Sequence, residues 1–314
     1  MPLNEKLTLA IASDLNVDPS FIEKDWYATK VMAVVNAISN EQIRPVFCGG
    51  TSLSKCFGLL ERFSEDLDYR GVADENVKPS KGAKSRYRKD IIAAINEIEG
   101  LTVDLNSVDS GGNYFKLDID YDKQFDVPDS LRQKLKIEFS YTQPKHLSGF
   151  EMRDTPSFVS SYQNETPSFQ TECVSPVETA ADKLSALIWR VLKRDRSSDK
   201  DDPSIVRHLH DLYALRGEIS KDKALFLTLV DASFEVDSST LARNVGGSIA
   251  DAAMSAFQMI EDSEYSAEYQ RYVESMSFAD EPIQFEEALN HFKALAITLR
   301  SSSDDNDDGS NSPK

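Results

Sequence analysis

Val46-Phe47-Cys48-Gly49-Gly50-Thr51-Ser52-Leu53-Ser54-Lys55, followed shortly by Arg62-Phe63-Ser64-Glu65-Asp66-Leu67-Asp68, decides the fold. Pro45 to Cys48 is a short apolar run that stops at two glycines, which predicts a buried strand. Leu53, Phe57 and Leu60 then predict a helix just after the glycines. A strand that enters Gly-Gly and leaves as a helix presents free backbone N–H groups. Glycine lets that backbone approach a phosphate closely, and the helix N-terminus favours an anion. Gly49, Gly50, Thr51 and Ser52 therefore form a candidate phosphate turn, with hydroxyl donors at Thr51 and Ser52. Lys55, one turn into the helix, is placed to reach the same phosphate.

Downstream, Phe63, Leu67 and Tyr69 alternate with Arg62, Ser64, Asp66 and Asp68, so Asp66 and Asp68 leave one face of a strand. Two carboxylates held together repel, and a divalent cation relieves the cost. Hard oxygen ligands suit Mg²⁺ or Mn²⁺. A phosphate turn beside such a pair points to nucleotidyl transfer. Asp118-x-Asp120 has the same spacing but no preceding glycine turn, and Lys116 and Lys123 flank it, so it reads as a solvent face.

Around this segment the chain divides into an α/β N-terminal lobe and a helical C-terminal lobe. Asp18-Pro19 supplies an N-cap and a Pro at the first helical position, and Phe21, Ile22, Trp26, Val31 and Val35 continue a helix. Lys78, Lys81, Lys84, Arg86, Arg88 and Lys89 form a basic stretch that merges into a helix with Tyr87, Ile91, Ile95 and Ile98 on its apolar face. Strand patterns follow near 101–108, 115–121 and 135–141, giving a mixed sheet of four or five strands. Pro144, Gly149 and Pro156 mark a boundary region. Ser175-Pro176-Val177-Glu178 reads as a capping box before a long apolar stripe, and Asp202-Pro203 opens a further helix that stops near Gly217. We therefore expect lobes at 1–145 and 146–300, with the active cleft between them. The segment 301–314, with four Asp, one Lys and no apolar residue, is expected to be a disordered tail.

The 314 residues carry a formal charge of −18. Such a balance argues against nonspecific coating of nucleic acid, so a polynucleotide partner needs a local basic patch. The basic stretch at 78–89 is one candidate, and Arg190, Lys193, Arg194 and Arg196 form another. There is no apolar run of the length a membrane span needs and no signal-peptide pattern. Three cysteines, Cys48, Cys56 and Cys173, do not make an even disulfide framework or a Cys-x-x-Cys zinc site. The expectation is a cytoplasmic protein with no membrane partner.

The order of these motifs resembles the AbiEii/AbiGii toxin family of nucleotidyltransferases, within the DNA polymerase beta-like superfamily. Phe21-Ile22-Glu23-Lys24-Asp25-Trp26-Tyr27 is similar to the family's Glu-Lys-Asp-aromatic helix. The two segments quoted first are similar to its Gly-Gly-Thr-x-Leu and Arg-x-Ser-x-Asp-x-Asp motifs. Ala181-Asp182-Lys183-Leu184 and Arg207-His208-Leu209-His210-Asp211-Leu212-Tyr213 resemble its second-lobe elements. The resemblance spans roughly residues 17–217. Gly50-Thr51 replaces the superfamily's Gly-Ser, the gap from Gly50 to Asp66 is long, and His208 stands where relatives often have an acid.

The resemblance implies a two-lobed enzyme that moves NMP from an NTP to an acceptor, releases pyrophosphate, and is a toxin silenced by a cognate antitoxin in a toxin–antitoxin or phage-defence system. The expected acceptor is RNA, with tRNA as the candidate. Asp66 and Asp68 match the metal-binding acids, and Lys183 and Asp211 match second-lobe residues that complete the site. The superfamily's third carboxylate falls to Glu138, opposite Ile137 and Phe139 on its strand, as metal ligand and proton acceptor. Its alternative partner is Lys136, and the alternative for Asp211 is Arg207 four residues earlier. Arg62 is either a brace for the acids or a ligand. His208 and His210 point in different directions on a helix, which argues against a shared metal. The rival readings are an enzyme of this fold that modifies a protein or small molecule, and a catalytically silent interaction module.

Overall fold

The computed structural model describes residues 3–73, 77–143, 145, 149–261 and 264–308, without side chains for 302–308. It separates into two compact units, Met1–Ser175 and Pro176–Lys314.

The first unit is built on one seven-stranded sheet. Its elements run α1 (Glu5–Asp14), α2 (Pro19–Ala37), β1 (Arg44–Cys48), α3 (Gly49–Lys55), β2 (Asp66–Val72), α4 (Lys81–Asn96), β3 (Leu101–Ser110), β4 (Tyr114–Tyr121), β5 (Leu135–Ser140), β6 (Phe150–Asp154), α5 (Phe158–Tyr162) and β7 (Gln170–Val174). The strand order is β3-β4-β5-β2-β1-β7-β6. β1 runs antiparallel to β2, β2 parallel to β5, and β1 parallel to β7. The sheet is mixed, as the alternating pattern predicts.

Period-two alternation gives the sheet two unlike faces. Phe47, Leu67, Tyr69, Phe115, Leu117, Ile137 and Phe139 point to one side. There they meet Tyr87 and Ile91 of α4 and Val31 and Val35 of α2 in a single core. Phe139 sits at its centre, stacked on Phe115 at 5.0 Å and beside Tyr87 at 5.3 Å. The opposite face of the same strands carries Asp66, Asp68, Lys136, Glu138, Lys116 and Asp118.

Capping follows the sequence at α2, where Asp18 accepts from Ser20 N at 2.9 Å. β2 begins at Asp66 and runs to Val72, so Phe63 lies ahead of the strand. The expected boundary at 145/146 moves to 175/176, and the sheet gains two strands. β6 and β7 lie in the stretch taken as a boundary, yet β7 pairs with β1 through Phe47 and Cys173. Five-residue strands between prolines leave too short an alternation to read. Pro144, one of the boundary markers, lies outside the described residues. All three cysteines are free thiols.

The second unit is helical: α6 (Pro176–Leu192), a 3₁₀ turn at Pro203–Ile205, α7 (Val206–Ala214), α8 (Arg216–Lys221), α9 (Lys223–Ser238), α10 (Ile249–Glu261), α11 (Glu264–Met276) and α12 (Phe285–Asp308). The stripe Ala180, Ala181, Leu184, Leu187, Ile188 and Val191 of α6 is fully buried. Gly217 lies inside α8, so it does not stop the chain's helical run. α12 continues through Asp308, so residues 301–308 are helical where a disordered tail was expected; the rest of that tail, 309–314, lies outside the described residues. Among the described residues no helix is long and apolar enough to cross a membrane.

Phe139→Ala removes the centre of the aromatic cluster. We expect a loss of about 3–5 kcal/mol in chemical denaturation, with an unchanged denaturant slope.

Candidate active site

The glycine bend closes directly onto the second acid. The β1–β2 register sets Cys48 opposite Asp68. Gly49 then takes a φ of +78°, and a Cβ there would stand 2.3 Å from Asp68 Oδ2. The bend closes because Gly49 has no side chain. A Cβ on Gly50 would meet Ser64 Oγ at 2.7 Å and Arg62 Nη2 at 2.9 Å. The Thr51 hydroxyl donates to the Asp66 carbonyl at 2.6 Å. Ser54 Oγ donates to the Arg62 carbonyl at 3.1 Å. Arg62 is buried and donates to the Phe63 carbonyl at 2.8 Å, so it braces the segment before the acids.

Asp66 and Asp68 lie on the polar face, as expected. Across the parallel pair their partners are Lys136 and Glu138, so Glu138 is in register with Asp68 on the same face. Its carboxylate is ion-paired with Lys136, the alternative partner named from the sequence. Asp66 Oδ1 is enclosed and, among the described residues, has no hydrogen-bond donor. Arg132 Nε stands 3.8 Å from it.

These features test the fit of a divalent cation. An enclosed carboxylate oxygen without a donor is costly, and a hard cation would satisfy it. The Asp68 carboxylate is held beside the bend rather than under packed apolar groups. Asp66 and Asp68 thus fit such an ion. Among the described residues, no three His, Cys, Asp or Glu side chains are gathered as a metal cage. Glu138 would have to leave Lys136 to become the third ligand.

The side chains of three expected nucleotide contacts, Thr51, Ser52 and Lys55, are enclosed within the first unit. Thr51 spends its hydroxyl on Asp66, and so ties α3 to β2. Ser52 is 1% exposed, with its hydroxyl enclosed beside the Cys173 thiol, so only its backbone N–H remains for an anion. Lys55 is buried in an ion pair with Asp25 at 2.6 Å, and it donates to the Pro156 carbonyl at 2.7 Å. It is an internal strut, not a phosphate ligand.

The Glu-Lys-Asp triplet of α2 explains that strut. Glu23 accepts from Gln124 N at 2.8 Å and Phe125 N at 3.4 Å. Lys24 donates to Glu65 at 2.6 Å and to the Arg132 carbonyl at 2.6 Å. Asp25 holds Lys55 and accepts from Phe158 N at 2.9 Å. Burial draws the Lys24 ammonium below its ordinary value, and the Glu65 carboxylate opposes that shift. Glu65 and Arg132 were not singled out from sequence. Glu65 adjoins the acid motif, but Arg132 lies in a loop with no pattern to expose it.

In the second unit, Lys183 of α6 and Asp211 of α7 pair at 2.7 Å, both buried. Asp211 therefore does not take Arg207, which pairs with Asp202 at 3.3 Å. His210 Nδ1 stands 3.4 Å from Asp211. His208 is buried with neither ring nitrogen bonded. Burial holds it well below the ordinary imidazole value, and Arg207 and Lys183 add to the depression.

The basic stretch of α4 does not line the acids' face of the sheet. α4 packs Tyr87 and Ile91 against the apolar face of the sheet, opposite to Asp66 and Asp68. In the second cluster Arg194 pairs with Asp201 and Glu268, Arg196 with Glu264 and Glu268, and Arg190 with Asp202. Asp120, in the comparison pair, is neutralised by Lys134 at 3.1 Å, which agrees with a solvent face.

A family model described as the nucleotidyl transferase AbiEii toxin of type IV toxin–antitoxin systems matches residues 31–291. Among solved structures, the chain is similar to MenT4, a nucleotidyltransferase toxin from Mycobacterium tuberculosis H37Rv. The identity is 17% and the TM-score 0.42, over 94% of this chain and 99% of that one. No curated protein matches.

Gly49→Ala would push the Asp68 carboxylate off the bend. A displacement of about 1 Å at reacting groups costs about 10²-fold, so we expect a loss of that size in steady-state turnover. Asp211→Asn removes the carboxylate charge from its buried pair with Lys183, and urea titration should show the second unit weakened by about 3–5 kcal/mol. His208 stays neutral in the fold while the unfolded chain takes up a proton below about pH 6.5, so stability should fall as pH drops from 7 to 5. That slope should flatten in His208→Gln.

Proposed function

Because this chain belongs to the AbiEii family of nucleotidyltransferase toxins of type IV toxin–antitoxin systems, we propose that it transfers NMP from an NTP to an RNA acceptor, with tRNA as the candidate, at Asp66 and Asp68. One observation carries this reading. Two carboxylates share a sheet face, one against the Gly49 bend and the other with an oxygen that no donor reaches.

The backbone N–H groups at Gly49, Gly50 and Thr51 bind the triphosphate, and the hydroxyl of Thr51 keeps that helix start fixed to β2. Asp66 and Asp68 hold Mg²⁺ or Mn²⁺, with Glu138 as third ligand once it parts from Lys136. The ion, when bound, neutralises the triphosphate and lowers the charge cost at the attacking and leaving oxygens. The acceptor hydroxyl oxygen forms a bond to the α-phosphorus, and the bond to the pyrophosphate oxygen breaks. Glu138 takes the hydroxyl proton on its carboxylate. Lys183 and its ion-pair partner Asp211 are the residues of the second unit that this reading assigns to nucleotide binding and catalysis. A cognate antitoxin is the expected partner and the cytoplasm the expected setting.

Incubation with each of the four NTPs, Mg²⁺ and deacylated tRNA should give a discrete RNA mass gain for at least one NTP. Label transferred from NTP into protein alone would contradict the RNA reading. Asp66→Asn and Asp68→Asn should each abolish transfer and growth inhibition while retaining the wild-type unfolding free energy in urea within about 1 kcal/mol. Full toxicity of both variants would favour an interaction module.

A further inference from the structure

Two of the three cysteines meet inside the first unit. Cys56 ends α3, and its N–H donates to the Ser52 carbonyl at 2.9 Å. Residues four apart share a helix face, so Ser52 and Cys56 turn the same way. Both lie beside the Cys173 thiol of β7. A threonine pair fixes the meeting from the other side. Thr155 and Thr171 are buried and joined through their hydroxyls at 2.7 Å. Thr155 Oγ1 stands 3.8 Å from Cys56 Sγ. Thr171 and Cys173 are two apart on β7, so they share a strand face, and the Cys173 thiol lies 3.6 Å from the Thr171 carbonyl.

The two thiols differ in access and in acidity. Cys56 is half-buried, whereas Cys173 is fully buried. The hydrogen bond from Cys173 holds the Cys56 thiol below its ordinary value. Thr155, Lys55 and Arg153 act in the same direction, and burial opposes them. The same bond, with burial, pushes the Cys173 thiol far up, so it stays protonated. A reachable sulfur with thiolate character next to a second thiol is the pattern of a redox-reactive cysteine and its resolving partner. The third thiol is engaged elsewhere: Cys48 donates to the Asp68 carbonyl at 3.5 Å.

We propose that Cys56 is a peroxide-modified site and that Cys173 resolves it into a reversible disulfide between α3 and β7. The Cys56 thiolate attacks one oxygen of hydrogen peroxide and the O–O bond breaks. The departing hydroxide takes up a proton, and Cys56 becomes a sulfenic acid. The Cys173 sulfur then attacks the Cys56 sulfur, the S–O bond breaks, and hydroxide leaves with the Cys173 proton as water. Two thiols are oxidised to one disulfide while one peroxide is reduced to two waters. A dithiol reductant reverses the result, as a reducing compartment requires. The chemistry uses neither Asp66 nor Asp68, so it is independent of the nucleotidyltransferase reading.

The test is peptide mapping of the reduced full chain after hydrogen peroxide, with remaining thiols alkylated and digestion carried out without reductant. In wild type the Cys56 peptide should appear linked to the Cys173 peptide within one chain, with Cys48 alkylated. Dithiothreitol should then restore all three thiols. In Cys173→Ser the disulfide should be lost and Cys56 trapped by dimedone as its sulfenic adduct. In Cys56→Ser the initial rate of thiol loss should fall about tenfold or more, because the remaining thiols lack thiolate character. Three alkylated thiols in wild type, at a peroxide dose that oxidises glutathione in the same tube, would overturn the proposal. So would a link made through Cys48, a disulfide between two chains, or oxidation of Cys173 ahead of Cys56.

Discussion

A missing methyl group governs the first unit's polar face. Gly49 comes so close to the Asp68 carboxylate that any side chain there would displace it, and its left-handed φ adds a second reason for glycine. The consequence is electrostatic. The start of α3 and the acid share one small volume, and the proposed phosphate and cation sites rest on that closeness. Thr51 and Ser64 carry this geometry outward, because they lock the start of α3 to the start of β2.

Behind that arrangement stands a set of buried ion pairs. Glu23, Lys24 and Asp25 are consecutive on α2, and each fastens a different piece of chain. Buried pairs of this type contribute little net stability, since desolvation cancels most of their attraction. Their effect is on position. Lys24 fixes Glu65 immediately ahead of Asp66 and fixes the Arg132 carbonyl on the loop opposite. Asp25 fixes Lys55 at the far end of α3. The acids are thus set by charges that do not touch the polar face.

Much of this was readable from residues. The strand–glycine–helix passage, the shared face of Asp66 and Asp68, and the register-compatible position of Glu138 all follow from local periodicity. The amphipathic stripe of α6 does too. What escaped reading was long-range partner choice. Lys55 looks like a phosphate ligand because its helix position permits it, but Asp25 lies 30 residues earlier and captures it. Ser52 looks like a donor until β7 closes over it with Cys173. Asp211 could have paired locally with Arg207, yet Lys183 on another helix holds it. The basic stretch at 78–89 has its charges where expected, but only the packing of Tyr87 and Ile91 reveals which side of the sheet it covers.

The parallel pairing of β7 with β1 has a bearing on how the protein is made. β1, the strand that feeds the glycine bend, stays an open edge until residues 170–174 have left the ribosome. A nascent chain of some 145 residues carries every acid of the polar face yet exposes a bare row of backbone donors and acceptors beside it. Such a fragment is prone to pair with whatever strand it meets, and β7 works as the latch that covers this side of β1.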